Sequence, residues 1–160
     1  GQDDDLHGVA ALVGAGRIEE ARNVIARLQS HALASTGTNA WMARQVGIPA
    51  SEAVVAFGEG RYSDSVATLL PIRRHLQQFG GSHAQRDAMQ RTLLEAALRA
   101  GQSELARSLT AERLNVRHHA NYNWLQRARA MRAIGNEAAA TEAEALAEQH
   151  RRRFHAAIPT

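Results

Sequence analysis

A glycine recurs four times along the 160-residue chain in the same sequence context. Gly16, Gly60, Gly101 and Gly135 each follow an apolar, helix-like stretch. Five residues after each glycine stands a small side chain, in turn Ala21, Ser65, Ala106 and Ala140. Seven residues before stand Val9, Ala53, Leu94 and Ala128, and four before stand Leu12, Ala56, Ala97 and Met131. Glycine takes positive φ without strain and so suits the end of a helix. A small residue soon afterwards lets the next helix pack closely against the first. The pattern predicts a helix-turn-helix hairpin written four times, at glycine spacings of 44, 41 and 34 residues. Such a unit buries its apolar face only against a neighbour, which makes the repeat the strongest constraint on the fold.

Composition points the same way. The chain is 44% hydrophobic but only 4% aromatic, with alanine at about one residue in five. Alanine, leucine, arginine, glutamate and glutamine favour helices, and the scarcity of β-branched and aromatic residues disfavours an all-β domain. The expected fold class is all-α: a right-handed superhelix of antiparallel helix hairpins, with about eight or nine helices in one domain over 1–160. Helices are expected near 4–15, 18–34, 38–46, 49–59, 62–79, 82–100, 103–114, 119–134 and 136–154. They form hairpins near 4–34, 49–79, 82–114 and 119–154, with a short extra helix near 38–46 that carries Trp41. Gly47 reads as a helix stop and Pro49 as the first turn of the next helix. Pro71 predicts a kink or a late start. Ser82 with Gln85 reads as an N-cap and capping box.

No apolar run approaches the roughly 18 residues of a membrane span, so no membrane partner is expected. The absence of cysteine excludes a disulfide scaffold, a Cys-ligated zinc site and thiol catalysis. All 19 basic residues are arginine, and the formal net charge is +3. Residues 1–80 hold 7 arginines against 8 carboxylates, and residues 81–160 hold 12 against 8. The basic second half suits an acidic partner. A solvated set of helix faces accounts for the same charge pattern.

The repeat resembles the tetratricopeptide repeat, whose pattern places a small residue at the eighth position and alanine at the twentieth. The fourth copy matches through Trp124, Ala128 and Ala140, and departs from it at Arg127 and Glu144. Two segments narrow the resemblance. One runs from Asp5-Leu6-His7-Gly8 to Gly14-Ala15-Gly16-Arg17. The other runs from Val46-Gly47-Ile48-Pro49 through Leu69-Leu70-Pro71-Ile72-Arg73 to Gly80-Gly81-Ser82-His83-Ala84-Gln85-Arg86-Asp87. With Leu105-Ala106-Arg107 and Glu112-Arg113, they resemble the C-terminal half of the tetratricopeptide repeat protein 38 family across residues 4–115. The resemblance implies a cytoplasmic helical-repeat protein with no established reaction. It also implies an N-terminal half preceding this chain, which begins at Gly1 without methionine. The N-terminal end would then be a surface for self-association into a homo-oligomer.

Candidate sites fall into two sets. Ser82, His83 and Asp87 are the residue types of a hydrolytic triad. Adjacent helix residues diverge by about 100°, however, and Ser82 is already assigned to capping. The alternative there is a small-molecule or anion site formed by His83, Arg86 and Asp87, with His7 as a further contributor. His7 beside Asp3, Asp4 and Asp5 lacks the spacing of a metal site, and neither metal nor cofactor is expected. His118-His119 reads as a solvated loop. The His150-Arg151-Arg152-Arg153-Phe154-His155 run reads as a cationic helix end, so nucleic acid is not the expected partner. A chain without lysine has no phosphate loop of the usual kind.

The second set is a groove. In this repeat architecture the first helix of each hairpin lines a concave surface for extended partners. The third copy offers Arg91, Glu95, Leu98 and Arg99, and the fourth offers Tyr122, Leu125, Arg129 and Arg132. Glu95 stands at helical spacing from both Arg91 and Arg99. The sequence-level expectation is a non-catalytic scaffold that binds an acidic peptide by arginine-carboxylate pairing.

Overall fold

The computed structural model describes residues 2–78 and 83–157, and the described residues are helical with no strand among them. Helices α1 (Gln2–Gly14), α2 (Ile18–Ala34), α3 (Thr38–Met42), α4 (Ile48–Gly58) and α5 (Tyr62–Ile72) are followed by α6 (His83–Arg99). Then come α7 (Ser103–Val116), α8 (Asn121–Ala133) and α9 (Glu137–Ala157). No described helix is long and apolar enough to cross a membrane.

The four repeat glycines build one turn four times. Gly16, Gly60, Gly101 and Gly135 have φ of 76°, 77°, 73° and 82°, in the left-handed region where a Cβ is strained. In each turn the N–H after the glycine donates back to the carbonyl four residues before it. These bonds join Arg17 to Leu12 at 2.8 Å, Arg61 to Ala56 at 2.8 Å, Gln102 to Ala97 at 2.9 Å and Asn136 to Met131 at 2.9 Å. The glycine N–H itself reaches Val13, Phe57, Leu98 and Arg132, completing a Schellman motif that satisfies the last carbonyls of the helix. The next helix then starts without a side-chain cap in the first three turns. In the fourth, the Asn136 side chain accepts from the Ala139 N–H at 3.1 Å. The small residues Ala21, Ser65, Ala106 and Ala140 are fully buried, as the spacing predicts.

The chain divides into two compact units, Gly1–Ala96 and Ala97–Thr160, with the division inside α6. In the first, α4 packs against α1, α2 and α5, and α1 against α2. Its Ala50, Ser51, Ala53, Val54, Val55 and Ala56 are all buried, as expected of a helix with apolar residues around most of its circumference. At the end of α4 the backbone of Gly58 approaches α1 so closely that a Cβ there would overlap Val13 Cγ1. In the second unit α8 packs on both α7 and α9. Ala128, Ala140, Ala143 and Ala147 are buried there, so alanine lets these helices approach closely.

Gly47 does not stop a helix. Helix α3 runs through a π-helical turn, Ala43–Gly47, directly into α4. The Ile48 N–H donates to Ala43 O, five residues back, so the ladder widens just ahead of Pro49, which has no N–H to give. The expected separate helices near 38–46 and 49–59 are therefore continuous. Pro71 lies in the last turn of α5, which ends at Ile72 and not near residue 79, and a 3-10 turn follows at His75–Gln78. The Ser82 cap lies outside the described residues, and α6 begins at His83.

Candidate functional site

Helix α8 presents Tyr122, Leu125, Arg129 and Arg132 at spacings that keep them along one side. Leu125 is 43% exposed, unusual for a leucine within a packed hairpin, and Arg129 beside it is exposed. Arg129 donates to Gln126 Oε1 at 2.8 Å, a neutral acceptor on the same helix. Tyr122 is half-buried, and the Arg113 guanidinium of α7 sits over its ring at 5.1 Å from the centroid. The ring is thus fixed in place by a cation-π contact.

Arg132 is different. It donates to Glu137 Oε1 at 2.9 Å and pairs with Glu144 Oε1 at 2.6 Å, both on α9. These bonds raise its pKa above the ordinary arginine value. Glu144, which departs from the repeat pattern, has its partner here. Arg132 therefore ties α8 to α9, and an incoming carboxylate would have to compete for it.

On α6 the four expected groove residues lie on both sides of the division between units: Arg91 and Glu95 before it, Leu98 and Arg99 after it. Arg91 donates to Asp87 Oδ2 at 2.7 Å, one turn earlier. His83 Nδ1 accepts from Arg86 Nη2 at 2.9 Å. The candidate triad residues His83 and Asp87 thus each meet an arginine of their own helix, and His83 is exposed. His7 is exposed on α1. Among the described residues no three His, Asp or Glu side chains are arranged to hold a metal. In the C-terminal run, Arg151 and Arg152 both bond to Glu148, at 2.6 and 3.0 Å. Their hydrogen bonds pull its carboxyl down to about 2. One of the three arginine charges of the run is therefore balanced locally.

The structure also reveals polar residues that the sequence pattern does not single out. Asn123 is buried in the first turn of α8. Its Oδ1 accepts from Arg113 Nε at 2.8 Å, and its Nδ2 donates to Arg117 O at 3.0 Å, tying the end of α7 to the start of α8. Asn121 Nδ2 donates to Ala147 O at 2.7 Å, fastening α8 to α9. Arg127 donates to Arg107 O at 2.7 Å and Thr110 Oγ1 at 3.1 Å; burial, then the Arg107 charge, lowers its pKa. No local signal separates Asn121 and Asn123 from surface polar residues, and Arg127 shows in the sequence only as a departure from the repeat, because their partners are set by helix packing.

No protein-family model matches the chain, and no solved structure matches it.

Proposed function

We propose that the chain is a non-catalytic helical-repeat interaction module, in which α8 recognises an extended segment carrying a carboxylate next to an apolar side chain. The exposed Leu125 beside the exposed Arg129 supports this reading most directly. A leucine offers contact area to the partner, and an arginine fork offers a directional bond to a carboxylate. Tyr122, held by Arg113, adds a rigid platform at one end of the stripe. Stacking of the hairpins into a right-handed superhelix, membership of the tetratricopeptide repeat protein 38 family and a cytoplasmic setting belong to the same proposal. So does self-association through the N-terminal hairpin. The four identical turns support the repeat component.

Binding of a library of acidic-apolar peptides, followed by fluorescence anisotropy at low and high salt, tests this reading. Arg129→Glu and Leu125→Asp are each expected to abolish the peptide signal while leaving the helical circular dichroism unchanged. Equal binding by both variants and the parent would overturn it.

A further inference from the structure

Three histidines meet where the α7–α8 turn lies against α9. The His118 and His119 ring centroids are 3.9 Å apart, and His119 stands edge-on to His150 at 5.2 Å, with the planes at 71°. His150, on α9, is only 9% exposed, whereas His118 and His119 are exposed. The sequence alone reads the pair as a solvated loop and His150 as part of a cationic helix end. The fold makes them a cluster.

Among the described residues, the groups whose charge bears on His150 are all histidines or arginine. On its own helix, Arg153 bears on His150, and from the turn come His119 and His118. Arg117 stands in the same turn. On α8 the neighbouring polar group is the uncharged Asn121 amide, which bonds to Ala147 one turn before His150. The charged residues of α8 are engaged elsewhere, Arg127 with Arg107 O and Thr110, Arg129 with Gln126, and Arg132 with Glu137 and Glu144. On α9, Glu148 is bonded to Arg151 and Arg152.

We propose that His118, His119 and His150 form an acid-sensitive latch that holds the α7–α8 turn on α9 at neutral pH and releases it under mildly acidic conditions. Neutral rings pack edge to face, whereas imidazolium rings at these separations repel each other and Arg153. Burial, followed by His119, Arg153 and His118, lowers the His150 pKa. With the folded value below the unfolded one, the stabilising effect of the neutral ring is full above about pH 6.5 and declines as pH falls below it. Release would loosen the first turn of α8, whose Trp124 Nε1 donates to His118 O at 2.7 Å. The latch would operate whether or not α8 binds a peptide.

Trp124 is a built-in reporter, since the only other tryptophan is Trp41. In a Trp41→Phe background, emission is followed between about pH 7.5 and about pH 5.5, the range in which histidine changes charge. Imidazolium can quench an indole without any opening, so amide hydrogen exchange is measured as well, corrected for its intrinsic pH dependence. Residues 116–124 and 147–153 are expected to exchange several-fold faster at the acidic end, with the α1–α2 hairpin unchanged. His150→Gln should remove the acceleration. Because that residue is buried, the exposed-site double variant His118→Gln/His119→Gln is tested alongside it and should also reduce the acceleration. Corrected exchange that does not change with pH, or an acceleration that persists in the double variant, would overturn the latch.

Discussion

The Ser65 hydroxyl donates at 2.9 Å to the carbonyl oxygen of Ala53, across the buried crossing of α4 and α5. These are the residues five after and seven before the same turn glycine, so the two repeat positions face one another inside the hairpin. Ser51, one turn from the π-helical segment, is equally buried, but its hydroxyl has no hydrogen-bond partner among the described residues. Similar chemistry at the two sites therefore has opposite consequences. Ser65→Ala should lower stability by about 0.5–1.5 kcal/mol, while Ser51→Ala should leave it equal or raise it, because an unsatisfied hydroxyl is removed. Urea denaturation of both variants decides it, and a loss at Ser51 as large as that at Ser65 would contradict the assignment.

Gly58 and Val13 make a second test. A Cβ at Gly58 has no room beside Val13 Cγ1, so Gly58→Ala is expected to destabilise the first unit by about 1–3 kcal/mol through overpacking. Val13→Ala should recover much of that loss. A double-mutant cycle then shows a coupling energy of about 0.5–3 kcal/mol between the two sites. Additive effects would mean that the helices do not meet there.

Ala106 is fully buried at the start of α7, and its N–H bonds to Gln102 O at 3.0 Å, in the same geometry as Ala21, Ser65 and Ala140. Ala106→Leu should cost about 1–3 kcal/mol, read as a fall in melting temperature. Arg107→Leu, at the exposed next position, should be close to neutral, since Arg107 pairs with exposed Glu104 and surface pairs contribute little.

The buried amide of Asn123 should be more sensitive than any surface ion pair on the second unit. Asn123→Ala leaves Arg117 O without its side-chain donor and Arg113 Nε without its acceptor. The expected loss is about 1–3 kcal/mol, measured by thermal denaturation. Exchange of the α7–α8 turn amides should also accelerate, whereas a purely surface role would leave both readings unchanged.

Among the features legible in the sequence, the turns are the clearest. A Schellman motif depends on one residue at positive φ and on carbonyls within six residues of it, so glycine spacing alone locates Gly16, Gly60, Gly101 and Gly135. The small residues after them follow from the same local geometry, and the alanine-rich composition points to helix throughout. Tertiary structure decided the rest. Gly47 and Pro49 look like a boundary, yet the chain passes through them because a π-helical turn accommodates the missing N–H and keeps the buried α4 continuous with α3. Arg132 looks like a groove residue, yet Glu137 and Glu144 of α9 hold it. Asn123 and His150 look like ordinary polar residues, yet packing buries both. Helix periodicity determines which residues share a face; only the approach of other helices determines whether that face meets water, a carboxylate or another ring.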